Sequence, residues 1–160
     1  MRWIKLTALT SFLFASLLII SSCERYDELK KIAIYSKTGI VMSGAQEIPV
    51  SASTATGTLD VTYSKSSKTL NYTFKWSGLT GVPNGIGIYG LAPVGYAVSP
   101  ASPIQTISLT GLTASSSYSG SLAVDGVFIK EQDLLNELFY INIRTVANPG
   151  GEIRAQIRFH

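Results

Sequence analysis

Residues 58–76 read TLDVTYSKSSKTLNYTFKW, and their alternation decides the fold class. Leu59, Val61 and Tyr63 alternate with Thr58, Asp60 and Thr62; Leu70, Tyr72, Phe74 and Trp76 alternate with Asn71, Thr73 and Lys75. Successive side chains of a strand point to opposite faces, so a period of two marks a strand with one side in a core and the other in water. The polar run Lys65-Ser66-Ser67-Lys68 between the two stretches supplies a turn, and together they read as an antiparallel hairpin.

The same period returns further along. Phe139, Ile141 and Ile143 alternate with Tyr140, Asn142 and Arg144, and Ile153, Ala155, Ile157 and Phe159 alternate with Glu152, Arg154, Gln156 and Arg158. Between them lies Asn148-Pro149-Gly150-Gly151, where proline interrupts the ladder and glycine supplies the backbone angles of a turn. A register with Ile143 opposite Ile153 sets Arg144 opposite Glu152 on the outer face, a charge pair worth roughly 0.2 to 1 kcal/mol. The alternative register opposes Arg144 with Arg154 and is disfavoured by repulsion.

Between the hairpins, the segments 86–91, 104–109 and 118–124 read as further strands, separated by Gly, Pro and Ser clusters, of which 92–103 is the longest. Helix formers run together in residues 131–138 (EQDLLNEL), with Leu134, Leu135 and Leu138 on one side, which predicts one short helix near 130–138. Many short strands with closely spaced turn signals predict an all-β fold, an antiparallel Greek-key sandwich or barrel. A parallel α/β sheet would need a crossover helix between strands.

The first 31 residues are of a different kind. Arg2 and Lys5 precede an apolar stretch from Leu6 to Ile20, interrupted only by Thr and Ser. This has the form of an export signal, and it is shorter than the roughly 20 residues a helix needs to cross a bilayer. Ile20-Ser21-Ser22-Cys23 follows and resembles the bacterial lipobox. The resemblance implies a signal peptide over 1–22, cleavage before Cys23, and lipid attachment (diacylglyceryl and a further acyl chain such as palmitate) at that residue. Two or more chains hold a protein firmly where one does not. Residues 23–31 are polar and charged and read as a lipidated tether to a domain over 32–160. The expected location is the bacterial cell envelope, at the outer membrane or cell surface.

At 160 residues the chain has room for one ordinary domain. Its 13 Lys and Arg stand against 10 Asp and Glu; without Arg2 and Lys5 the balance is 11 against 10. No cluster of basic residues exists to neutralise several phosphates, so nucleic acid is not an expected partner. Cys23 is the single cysteine, which leaves no intramolecular disulfide, and His160 is the single histidine.

Several motifs together resemble the chordin-type (CHRD) domain family. Met42-Ser43-Gly44-Ala45-Gln46-Glu47-Ile48-Pro49 is similar to its opening, Leu-Ser-Gly-Ala-Gln-Glu-Val-Pro, and Thr56-Gly57-Thr58 follows as in the family. Leu70-Asn71-Tyr72-Thr73-Phe74 and Ser77-Gly78-Leu79 match its central pattern. Tyr140-Ile141-Asn142-Ile143-Arg144-Thr145 and Asn148-Pro149-Gly150-Gly151-Glu152-Ile153-Arg154 match its close. The resemblance implies an immunoglobulin-like barrel or sandwich, similar in outline to copper/zinc superoxide dismutases, with no established enzymatic activity. This chain departs from the family where typical members carry Ala-His-Ile-His-Gly: it has Ile86-Gly87-Ile88-Tyr89-Gly90, and a later family histidine is Arg144.

A catalytic zinc or copper ordinarily needs two or three rigidly held imidazoles, and a Ser-His-Asp or Cys-His arrangement needs a fixed base. One terminal histidine supplies neither, so no metal, cofactor or catalytic residue is expected. Glu47, Asp60, Asp125 and Glu152 are the available carboxylates; two would have to share a cleft to act as a pair, and structural roles for Glu47 and Glu152 as acceptors are favoured. Tyr89, Tyr96 and Tyr118 are open either to core packing or to an aromatic binding surface. The expected function is a membrane-anchored, non-catalytic module that binds a protein or glycan, with Tyr89, Asn142, Arg144 and Glu152 as its candidate surface. The alternatives are a metal- or carboxylate-dependent enzyme on a dismutase-like scaffold, or a spacer with no specific ligand.

Overall fold

Eight strands carry the alternation into three dimensions: β1 (Ile34–Ser43), β2 (Thr56–Ser64), β3 (Thr69–Ser77), β4 (Gly85–Tyr89), β5 (Gln105–Thr106), β6 (Ser116–Ala123), β7 (Tyr140–Arg144) and β8 (Ile153–Gln156). They belong to a computed structural model that describes residues 33–160; the expected signal peptide over 1–22, the expected lipidation site Cys23 and the expected tether through residue 31 lie outside the described residues. The strands form an antiparallel sheet in the order β5-β4-β7-β8-β1-β2-β3-β6. The halves β6-β3-β2-β1 and β8-β7-β4-β5 meet through one paired position, Ser43 with Arg154.

The sheet curls until its two edges almost meet, giving an all-β antiparallel barrel. The gap between edge strands is bridged by side chains. Tyr72 Oη donates to Gln105 Oε1 at 2.9 Å, and Gln105 Nε2 donates to the Ser121 carbonyl at 3.1 Å. Gly120 faces Tyr72 across the ladder, and a Cβ there would lie 2.5 Å from the tyrosine oxygen, so glycine leaves room for the closing hydrogen bond.

Both hairpins form: Ser64 pairs with Thr69 across the Lys65–Lys68 turn, and Ile143 pairs with Ile153, the expected register. The predicted inward residues Leu59, Val61, Tyr63, Leu70, Tyr72, Phe74 and Trp76 are buried in one cluster with Ile86, Ile88, Ile141, Ile143, Ile153, Ala155 and Ile157. Phe74 lies 5.5 Å from the Trp76 ring and 5.8 Å from that of Tyr118, contacts that add to the stabilisation from buried area.

Four features differ from the sequence reading. The first strand, β1, was not anticipated; a bulge between Lys37 and Ile40 shifts its register, at Gly39, whose φ of 67° suits glycine and whose N–H donates to Asp60 Oδ1. The strand expected over 104–109 shrinks to Gln105–Thr106. The helix α1 covers Glu131–Leu135 rather than continuing to Leu138, because Glu137 adopts a positive φ of 60°. The last strand ends at Gln156, and Ile157 bonds instead to the Phe139 carbonyl. Among the described residues no helix is long and apolar enough to cross a membrane.

Candidate functional site: a polar face buried under loops

Strands β4, β7 and β8 are covered on both sides. Their inward residues enter the core, and their other face carries three cross-strand rows: Tyr89 beside Tyr140 and Gln156; Gly87 beside Asn142 and Arg154; and Gly85 beside Arg144. Period two predicts water on this second face. The structure corrects that expectation, since Asn142, Glu152, Arg154 and Gln156 are all buried. The segment 44–53 and the long loop 91–104 supply the cover.

Each polar side chain is held by that cover. Asn142 Nδ2 donates to both carboxylate oxygens of Glu47, at 3.0 and 2.8 Å. Arg154 lies 3.6 Å from the centre of the Tyr140 ring, donates through Nη1 to the Tyr96 carbonyl at 2.7 Å, and through Nη2 to Gln156 Oε1 at 2.7 Å. Gln156 Nε2 donates to the carbonyls of Ala92 and Glu137. Tyr89 and Tyr140 stack at 5.4 Å, and the Tyr140 oxygen accepts the Val98 N–H. The loop is thus tied down at residues 92, 96 and 98.

Burial pushes the Glu47 carboxyl up to about 8, although the charge of Arg154 and the Asn142 hydrogen bond both favour ionisation. A buried acid given a single amide donor keeps its proton at neutral pH. Burial likewise raises the Tyr89 and Tyr140 hydroxyls and lowers the Arg154 guanidinium. Glu47, Tyr89, Tyr140 and Asn142 line a cavity of about 210 Å³, with Ile48, Pro49, Ala97, Val98, Pro100 and Gly150 as its remaining walls. Asn142 Oδ1 is buried without a hydrogen-bond partner. A second cavity of about 160 Å³ shares Ile48 and reaches Arg154, Gln156 and Val94.

Of the four residues expected to form a binding surface, Tyr89 and Asn142 share the first cavity. Arg144 stands one row away, with its guanidinium laid against Gly85, where a Cβ would lie 2.5 Å from Nη2. Glu152 belongs to a separate nest. Its carboxylate accepts from Ser53 Oγ at 2.8 Å, Thr80 N–H at 2.7 Å, Thr80 Oγ1 at 2.8 Å and the Thr145 hydroxyl. Burial opposes its ionisation, but these four hydrogen bonds outweigh burial and hold it below the ordinary value. The expected outer-face ion pair of Glu152 with Arg144 therefore does not form, because hydroxyls and an amide already surround the carboxylate.

The carboxylates do not pair. Asp60 accepts the Gly39 N–H, and Asp125 accepts the N–H groups of Val127, Phe128 and Ile129. Among the described residues no three His, Cys, Asp or Glu side chains are grouped to hold a metal ion. Tyr118 packs with Tyr72 and Phe74, whereas Tyr96 is 68% exposed. Tyr140, Arg154 and Gln156 form the buried lattice, although alternation alone places them facing water. A usable signal is the absence of Lys from the outward positions of β7 and β8 combined with a nearby long loop, 91–104, rich in Pro, Ala and Val.

Fold and site together define an antiparallel β-domain with an apolar core inside the barrel and a polar layer sealed beneath loops on one flank. The CHRD domain pattern matches residues 38–157. The chain belongs to the CHRD domain family. No curated protein and no solved structure matches the chain significantly. Gly87, Tyr89 and Arg144, the positions that the family resemblance set against histidines, lie on the same flank. A Cβ at Gly87 would lie 3.0 Å from the Tyr89 ring and 3.1 Å from Pro103 Cβ. Tyrosine and the loop occupy the space.

Proposed function

We propose that the chain is a lipid-anchored envelope protein whose CHRD domain is a non-catalytic binding module, presenting the loop-covered flank to a protein or glycan. The observation that carries this reading is the cavity mouth. Exposed apolar residues Ile48, Val94 and Tyr96 belong to the two segments that roof the polar layer. Below them, Asn142 Oδ1 lacks a partner beside the Glu47 carboxyl. Apolar walls with a few convergent polar groups are the common make-up of a ligand seat. The side chains under the roof serve it as hydrogen-bonding ties, which suits recognition by a held surface rather than proton transfer.

The anchor reading rests on the lipobox, with Cys23 as the acylated residue. Metabolic labelling with palmitate tests it: the wild-type chain takes label, and Cys23→Ser does not. The binding reading is tested by placing a photo-crosslinking residue at position 96 in cells. A discrete adduct there, absent when the same residue stands at position 41 on β1, is the expected result. Absence of any adduct at 96 overturns it.

A further inference from the structure

The end of the barrel from which the chain leads back toward Cys23 carries an apolar finger. Ile34 begins β1 and pairs with Ser64, the residue before the Lys65–Lys68 turn. On the other side of that turn, Thr69 pairs with Ala123, and Val124 N–H donates to the Lys68 carbonyl. The loop that follows β6 therefore leaves from this same end. At its tip Val127 is 70% exposed and Phe128 is 84% exposed.

This exposure is built in. Asp125 Oδ1 accepts the N–H groups of residues 127, 128 and 129, at 2.9, 2.9 and 3.0 Å, and Gly126 N–H closes the loop onto the Ile129 carbonyl. Ile129 is buried in the core. The loop is pinned at its base while its two large apolar side chains point away from the barrel. Ile34, 61% exposed, stands at the same end.

We infer that Val127 and Phe128 seat in the interface of the phospholipid bilayer to which the chain is anchored, so that the domain stands on the membrane by this end. The inference rests on the anchor at Cys23 proposed above. Eleven residue steps separate Cys23 from Ile34, a reach of at most about 36–40 Å when fully extended. The tether joins the domain at this end, which favours its approach to the acyl chains over that of the opposite loops. An aromatic ring gains by entering the headgroup boundary, and Lys68 and Lys130, both exposed, flank the finger with charges suited to anionic headgroups. In this orientation the loops 44–55, 78–84 and 145–152, at the opposite end of the strands, face away from the membrane.

The test uses the full processed protein carrying Phe128→Trp, reconstituted in vesicles of phosphatidylethanolamine and phosphatidylglycerol with brominated acyl chains. The wild-type protein, whose remaining Trp76 is buried in the barrel, gives the baseline. Phe128→Trp emission should shift to the blue, and its added intensity should be roughly halved by the brominated lipid. If the protein floats with the vesicles but position 128 is no more quenched than the baseline, the seating is overturned and the anchor stands. If it does not float and Cys23 is unacylated, the anchor and the seating fall together. Crosslinking of position 128 to a second copy without quenching would assign the finger to self-association and also overturn the inference.

Discussion

Replacing Glu47 with Gln should remove most of the pH dependence of stability on the alkaline side. The wild-type carboxyl is 3% exposed and titrates near 8, whereas its ordinary value is 4.5. Between those values the unfolded chain releases a proton that the folded chain retains. Stability is therefore full below about pH 4.5, falls as pH rises through this window, and levels off above pH 8. At 1.36 kcal/mol per pH unit, the loss across the window amounts to roughly 3–5 kcal/mol. That is a large part of the 5–15 kcal/mol typical of a domain. The Gln amide keeps the shape of the acid, accepts from Asn142 through Oε1, and carries no titrating proton. Urea denaturation at intervals from pH 5 to 9 measures this directly: the wild-type midpoint should fall with pH, the Glu47→Gln midpoint should stay nearly level, and the variant should be the more stable at pH 9. Parallel profiles for the two proteins would refute the buried neutral acid.

Glu152 runs the other way: its depressed carboxyl contributes stability that is present above the ordinary value and lost as pH falls through its folded value, so Glu152→Gln should flatten the acid limb, and the loss of a charged acceptor for its buried donors should cost about 1–3 kcal/mol at pH 7, read from the same urea midpoints. Gln105→Ala opens the edge-to-edge closure and leaves the Tyr72 hydroxyl buried without its acceptor; it should cost about 1–3 kcal/mol, and appreciably less in a Tyr72→Phe background, as a double-mutant cycle will show. Arg154→Met removes the ties to Tyr96 and Gln156, and hydrogen exchange at the Val98 amide should accelerate more than at core amides of β3. Gly87→His should destabilise by about 1–3 kcal/mol through contact with the Tyr89 ring and Pro103, and a Tyr89→Ala background should recover part of that in thermal unfolding.

The barrel was legible in the sequence because its core strands alternate without interruption and their turns carry unambiguous polar or Pro-Gly signals. β1 was hidden by its own bulge: half-buried Tyr35 and Lys37 fall on odd positions, and buried Ile40 and Met42 fall on even ones. A single extra residue reverses the phase, and a period-two reading then finds no strand. The polar layer was hidden for a different reason. Alternation records which side chains are apolar, not what covers the polar ones, so Arg154 and Gln156 looked solvent-facing although residues 91–104 lie over them. Spacing gave no indication that Glu47, 95 positions before Asn142, would bind its amide.

The two buried glutamates show how one family of side chain is made to do opposite things on neighbouring segments. Glu152 receives four donors and can keep its charge inside; Glu47 receives one amide and keeps its proton instead. A carboxylate at Glu47 would face desolvation with Arg154 as its main compensation, and Arg154 already directs hydrogen bonds to the Tyr96 carbonyl and Gln156. Ionisation of Glu47 therefore acts first on the segment that carries it, weakening the roof over the cavity before the barrel beneath. The same roof bears Ile48, the apolar residue common to both cavity mouths. A ligand bound against Asn142 would meet the Glu47 to Asn142 contact, so its affinity should change with pH across the range in which Glu47 titrates, near 8.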